Sequence, residues 1–360
     1  MASPAELGFR MPAEWEPHAA TWIAWPHNRG DWPGKFAPVP WVYAEIVRHL
    51  QTGEVVRILV NDAAGEKRAR RVLTRAGVDL GRVEFFPIPT DRVWTRDYGP
   101  MFVATARGEL AILNWHFNGW AKYDDWRQDD AVPFEVAQRL GIRRLMSPTR
   151  NGMRNTPVVV LEGGSIDVNG AGCLLTTEEC LLSPVQERNP GMTRADYERI
   201  FARYLGVRKT LWLGRGIAGD DTHGHVDDLA RFVGPRTVVA AVEDDTADVN
   251  YAPLQENLER LRGMTDQDGR PLEVVELPLP RPVVFDGRRL PASYANFYIA
   301  NDRVLLPTFN DPNDRRALGI LAELFPGRTV VGIHAVDLVW GLGTLHCLTQ
   351  QEPASPKNGP

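Results

Sequence analysis

Cys347 lies in the run Gly341-Leu342-Gly343-Thr344-Leu345-His346-Cys347-Leu348-Thr349-Gln350-Gln351, a few residues before a polar, proline-containing end. Glycines in such a loop let backbone approach a small ligand closely, and a thiol beside them has the character of a nucleophile. Cys173 and Cys180 instead sit in apolar runs, the usual setting of a structural cysteine, and three cysteines make no disulfide scaffold. By residue type alone, a buried and inert Cys347 is an equally good reading. The case for chemistry rests on the residues it could meet. These are Asp97 in Trp94-Thr95-Arg96-Asp97-Tyr98-Gly99-Pro100, Glu162 in Leu161-Glu162-Gly163-Gly164-Ser165, and His225 with Asp227 in Thr222-His223-Gly224-His225-Val226-Asp227. Singly, Asp97 could pair with Arg96 or make a turn, Glu162 could cap an amide, and His225 could be a satisfied core histidine. Together they form a complete set of roles.

Hydrolysis of a guanidinium uses that whole set. The group is planar, resonance-stabilised and cationic, so its nitrogens must be held by carboxylates while a strong nucleophile attacks its carbon. Asp97 and Asp227 suit the holding role. Cys347 would add as a thiolate, favoured by the bound cation and by protonated His225. His225 can protonate the departing amine and then take a proton from the water that attacks the thiouronium, with Glu162 orienting the imidazole. The products are a ureido compound and ammonia.

The elements that must position these residues recur along the chain. Hairpin turns are expected at Arg107-Gly108, Asn169-Gly170, Gly234-Pro235 and Asn301-Asp302, spaced 62, 65 and 67 residues apart. Helices should follow near Ala131, Thr193, Asn250 and Asp311, with Thr193 and Asp311 as caps and Pro312 in a first turn. Strands Thr210 to Leu213, Leu272 to Leu277 and Thr329 to Ile333 complete three of the units. At the start, Trp41 to Leu50 reads as a helix, Val55 to Val60 as its strand, and Ala19 to Trp25 as half a hairpin whose other half lies at Cys347. Each copy leaves a face uncovered, so copies must pack together. Pairing the last strand with the first predicts a closed five-bladed α/β propeller of strand-strand-helix-strand repeats, with the polar residues brought to its axis. An open α/β sheet is the competing architecture. One catalytic domain over residues 1–351 and a disordered tail over 352–360 are expected.

Composition sets the bounds. The 360 residues carry 43% hydrophobic content and a net charge of -5, values of an ordinary soluble protein with ample core. Nothing in them points to nucleic acid or membrane, and the start lacks the pattern of a secretory segment, which predicts a cytoplasmic address. Of the eleven tryptophans, Trp15, Trp22, Trp25, Trp32 and Trp41 cluster early. Core packing is the favoured reading, and a subunit contact in a homo-oligomer stays open.

Several stretches carry a resemblance: Met11 to His18, Trp94 to Pro100, Asn114 to Asn118, Leu161 to Ser183, Gly224 to Asp227, Ala292 to Tyr298 and His346 to Gln351. Over nearly the whole chain the sequence resembles the agmatine deiminases of the guanidino-group modifying superfamily, whose fold is a five-bladed α/β propeller. The resemblance implies Cys347 as nucleophile, His225 as acid/base partnered by Glu162, and Asp97 with Asp227 clamping the guanidinium. It implies chemistry without metal or other cofactor on a small cationic guanidino substrate. Two departures bear on the substrate. Gly341-Leu342-Gly343-Thr344 replaces a run of three glycines and an asparagine, and Asp220-Asp221-Thr222-His223-Gly224 replaces acidic-Glu-Thr-Asn-Gly. Asp221 or Asp220 is the candidate partner of a distal amine, with Trp94 as a wall for the aliphatic chain. A solvated turn is the plainer reading of both aspartates.

Other readings compete. His223-x-His225-x-Asp227-Asp228 superficially resembles a metal-hydrolase run, but Asp228 stands where a histidine is needed, and His334 and His346 look isolated. A deiminase or amidinotransferase for another guanidino compound would use the same five residues. A non-catalytic binding protein would be expected to lose Cys347 or His225.

Overall fold

Four successive segments build the same local unit, and the spacing of the turns shows why. In the computed structural model, which describes residues 2–148 and 158–355, each expected turn joins two antiparallel strands. A helix then crosses over to a strand parallel to the second one. The helices are Arg127–Leu140, Arg194–Leu205, Tyr251–Gly263 and Pro312–Leu324. The parallel strands are Arg143–Met146, Lys209–Leu213, Glu273–Pro278 and Thr329–His334. A parallel neighbour needs such a crossover because a tight turn can only reverse the chain.

Local chemistry fixes the helix ends. Thr193 accepts from the Asp196 amide while the Asp196 side chain answers the Thr193 amide, and Asp311 and Asp314 do the same before Pro312. Tyr197, Ile200, Phe201 and Leu205 put one buried stripe on the second helix. Thr237–Val242 carries no polar alternation, since it is buried along nearly its whole length between covered faces.

The first sheet differs. It holds Gln350–Pro353, His18–Ala24, Val55–Val60 and Val83–Pro87 in that order, so the end of the chain pairs antiparallel with its beginning, Gln350 opposite Trp22. Its helix Ala63–Arg75, capped by Asp62, was not legible from the turn spacing. The helices expected near Ala131 and Trp41 begin earlier, at Arg127 and Val39. Among the described residues the strands form five sheets of three or four strands and one separate hairpin, Val284–Phe285 with Arg288–Arg289. No helix among them is long and apolar enough to cross a membrane.

The expected tail boundary is wrong. Glu352 and Pro353 belong to the pairing strand, and Glu352 Oε2 accepts from Trp22 Nε1 at 2.9 Å and also pairs with Arg57. The Ala354 amide reaches the Pro17 carbonyl at 2.7 Å, and Ser355 donates to the Gly108 carbonyl at 2.6 Å. A charged residue that answers a buried indole holds the segment in place. Residues 356–360 lie outside the described residues. Trp22, Trp25 and Trp32 are core residues, whereas Trp41 is 47% exposed.

Candidate active site

Three short turns and one loop deliver the polar residues. Asp97 sits in the single helical turn Thr95–Tyr98, Glu162 precedes the turn Gly163–Ser165, and His225 precedes the turn Val226–Asp228. The second of these must carry glycine. A Cβ on Gly164 would lie 2.6 Å from His225 Nδ1, 2.8 Å from Asp97 Oδ1 and 3.1 Å from Asp227 Oδ2, so three polar atoms from two distant segments surround one point. Asp97 Oδ1 accepts from the Gly164 amide at 3.0 Å and its Oδ2 from Trp120 Nε1 at 2.8 Å. Trp120 reaches it from a left-handed backbone conformation (φ 57°), a strained state for an aromatic residue. His225 Nε2 faces Glu162 Oε2 at 3.4 Å, and Glu162 Oε1 accepts from Arg188 Nε at 3.1 Å.

Cys347 joins this group. Its Sγ lies 3.8 Å from Asp227 Oδ2 and accepts from Asn296 Nδ2 at 3.1 Å. Asn296 holds the loop too, since its Oδ1 accepts from Thr344 Oγ1 at 2.7 Å and from the His346 amide at 3.1 Å. The Arg96 amide bonds the Cys347 carbonyl at 3.1 Å, and Arg96 NH1 reaches Gln351 Oε1 at 2.7 Å. The five residues expected from sequence are thus one buried cluster. His225 Nδ1 and Asp227 Oδ1 are both buried and have no hydrogen-bond partner among the described residues.

Burial and clustered charge set the protonation states. Burial raises the Asp97 carboxyl to about 6, with Asp227 and Glu162 adding to the rise and His225 opposing it. Burial also lifts the Cys347 thiol well above its usual value, and Asp227, Asp228 and Asp97 push it further. The thiolate expected from the sequence belongs to a site that holds the cation; without one, burial and these carboxylates favour the thiol. For His225 burial favours the neutral ring, yet Asp97, Cys180 and Glu162 overcome this and hold it charged well above the usual range. Glu162 stays ionised against the cost of burial because Arg188 and His225 lie beside it.

A cavity of about 410 Å³ opens over Cys347 and Asp97, walled by Trp94, Trp120 and Trp340. Its lining carries four carboxylates, Asp31, Asp97, Asp125 and Asp221, against the two guanidinium groups of Arg92 and Arg288. Trp94, expected as a wall for an aliphatic chain, lines the cavity. Asp221 lines the cavity with its oxygens engaged by Lys122 Nζ at 2.5 Å and the Tyr123 hydroxyl at 2.6 Å. Asp220 does not belong to the lining. Its Oδ1 accepts from the Thr222 amide at 2.7 Å and its Oδ2 from the Gly224 and His225 amides at 2.7 and 3.1 Å, so it shapes the turn that presents His225.

The signature of the Porphyromonas-type peptidyl-arginine deiminases matches residues 10–353. The chain belongs to this family. It is 35% identical to an agmatine deiminase of Pseudomonas aeruginosa, over 99% of this chain and 98% of that one. The solved agmatine deiminase of Enterococcus faecalis superposes with a TM-score of 0.89 at 33% identity, covering 98% of both chains. An agmatine deiminase of C. jejuni solved with substrate bound gives 0.84 at 27% identity, over 96% of this chain and 97% of that one.

Several residues that shape this family member's site were not assigned from sequence. His346 is not isolated: Nδ1 lies 2.7 Å from Asp227 Oδ2 and Nε2 lies 2.8 Å from Glu14 Oε2. Glu14 is buried, and Arg231 and Arg96 join His346 in holding it ionised despite that burial. Polar residues inside otherwise apolar stretches, Glu14 near the start and Asn296 before Phe297, were the available signal. His223 turns away from a metal-hydrolase role, with φ 65° and Nε2 3.0 Å from Ser183 Oγ. The one close trio of metal-ligand type among the described residues is Glu162, Cys180 and His225, and Arg188 already occupies Glu162. Cys180, expected to be structural, therefore borders the site.

Proposed function

We propose that this protein hydrolyses the guanidinium of agmatine to N-carbamoylputrescine and ammonia through a thiouronium on Cys347. The observation that carries this reading is the convergence of His225 Nδ1, Asp97 Oδ1 and Asp227 Oδ2 around Gly164, with the Cys347 thiol against Asp227. Asp97 and Asp227 hold the cation. Its charge offsets the carboxylates that keep the thiol neutral, so substrate entry drives the thiol proton to solvent and the thiolate adds to the guanidinium carbon. Imidazolium His225 gives its proton to one amino group, and the C–N bond breaks to release ammonia. Neutral His225 then takes a proton from attacking water, and collapse of the adduct expels sulfur as thiol and leaves the ureido carbonyl. Guanidinium plus water becomes ureido product, ammonia and one proton.

An excess of carboxylates over guanidinium groups in the lining favours a substrate with two positive ends, and the tryptophan walls favour a free small molecule over a protein side chain. The arginine on Glu162 and the thiol nucleophile support a reaction that needs no metal. The five sheets, with the last strand returned to the first, support a closed five-bladed propeller enclosing this site in one catalytic domain.

Ammonia and ureido product should be measured from agmatine, arginine, guanidinobutyrate and a peptidyl arginine, with Cys347→Ala as control. Agmatine turnover that vanishes in the control is the expected result. Turnover of arginine or guanidinobutyrate instead would replace the substrate, and silence on all four would remove the reaction.

A further inference from the structure

The cavity lining offers carboxylates, and their partners separate them. Asp221 is answered by Lys122 and Tyr123, and Asp125, half exposed, meets Arg92 NH2 at 2.9 and 3.2 Å. Asp31 is different. Its Oδ1 accepts from Arg92 NH1 at 2.7 Å, while its Oδ2 is buried with no donor among the described residues, and its side chain is only 2% exposed. Of the four carboxylates that line the cavity, it is the one with a buried oxygen that no donor among the described residues answers. A buried carboxylate oxygen in that state is poised for a donor brought by a ligand.

Its position is fixed relative to the nucleophile. Asn28 accepts from the Gly30 amide at 2.9 Å and sets the turn Arg29–Asp31. The next residue, Trp32, donates from Nε1 to the Leu338 carbonyl at 2.8 Å and packs so tightly on Gly341 that a Cβ there would lie 2.5 Å away. Trp32 also meets Trp94 at 5.6 Å between ring centroids, and a Cβ on Gly343 would touch both Trp94, at 2.7 Å, and the Cys347 Cβ, at 3.1 Å. Asp31 and Cys347 are therefore tied to the same glycine loop through Trp32 and Trp94, and both line the same cavity.

We infer that Asp31 is the specificity-determining residue for the far end of the substrate, receiving the distal ammonium of an aminoalkylguanidine on its free oxygen. This rests on the guanidinium hydrolysis proposed above and moves the distal contact away from Asp221, whose charge Lys122 already balances. Arg92 holds the other oxygen and keeps the carboxylate aimed. Burial raises the Asp31 carboxyl to about 6 against the pull of Arg92, with Asp125 adding to the rise, so the subsite loses its charge in mild acid.

The experiment compares kcat/KM for agmatine and for n-butylguanidine, which lacks the distal amine, in the intact protein and in Asp31→Asn. Asp31→Asn should lose at least about tenfold on agmatine and less than about threefold on butylguanidine, the signature of one lost charge-assisted contact. The unmodified protein supplies a second test should the variant fail to fold. Its agmatine-to-butylguanidine ratio, in which the titration of groups common to both reactions cancels, should fall as pH drops from 8 to 5. Equal losses on both substrates, or a ratio flat across that range, would overturn the assignment while leaving the reaction standing. A wild-type protein silent on both compounds would overturn it together with the reaction it rests on.

Discussion

Replacing Asp97 by asparagine keeps the shape of the side chain and removes its charge, which makes it the sharpest probe of the guanidinium clamp. Both Asp97 oxygens now accept from protein donors, Oδ1 from the Gly164 amide at 3.0 Å and Oδ2 from Trp120 Nε1 at 2.8 Å. An amide group has one oxygen, so one of these buried donors would face an NH2 and lose its acceptor. That loss costs about 1–3 kcal/mol of stability. Binding loses a charge-assisted hydrogen bond to the guanidinium, worth about 1.5–3 kcal/mol, or roughly 10- to 150-fold in kcat/KM. The pH profile gives an independent readout. The Asp97 carboxyl titrates at about 6 because burial raises it, so below that value it is neutral and cannot hold the cation. With butylguanidine, which takes no charge from Asp31, wild-type kcat/KM should fall in acid through a limb near pH 6. The Asp97→Asn protein should lack that limb. Retention of kcat/KM within threefold of wild type, or persistence of the limb in the variant, would refute the clamp.

Other outcomes follow from the same contacts. The Cys347 thiol is pushed up by burial and three aspartates, so its alkylation by iodoacetamide, followed on the Cys347 peptide, should be slow at pH 7. The rate should keep rising to pH 9, and a plateau below pH 8 would mean a preformed thiolate. Cys347→Ser should abolish ammonia release while the circular dichroism spectrum stays unchanged, and near-normal turnover would remove the covalent mechanism. Ending the chain at Gln351 deletes Glu352, leaving Arg57 and the Trp22 indole without it. Arg57 keeps Glu84 at 2.8 Å, so the lost charged contact should cost about 1.5–3 kcal/mol, lowering Tm by roughly 2–4 °C. A Tm within 1 °C of the full chain would show that the terminal strand contributes nothing.

The parts of the site legible in the sequence are those that local backbone rules present. Asp97, Glu162 and His225 each sit at or beside a short turn, and His225 and Asp227 lie two residues apart, so turn signals and residue type found them. The hairpin and capping signals worked for the same reason: Asp311 and Thr193 act within three residues of themselves. What stayed hidden depends on pairs that only the fold brings together. Glu14 meets His346 across 332 residues, Asn296 meets Cys347 across 51, and Trp120 reaches Asp97 from a backbone conformation that no tryptophan signals in advance. The polarity of the tail reads as solvation in sequence, whereas in the fold Glu352 answers Trp22 and Arg57. Asp220 and Asp221 show the same limit from the other side. Both are acidic and within five residues of His225, yet one spends its oxygens on the backbone of its own turn and the other on a lysine and a tyrosine. Asp31, 194 residues from His225 in the chain and never singled out by motif, lines the same cavity as Cys347 with an oxygen that has no donor among the described residues. Which carboxylate meets a substrate is decided by what the protein has left unpaired, and that is a property of the packed structure.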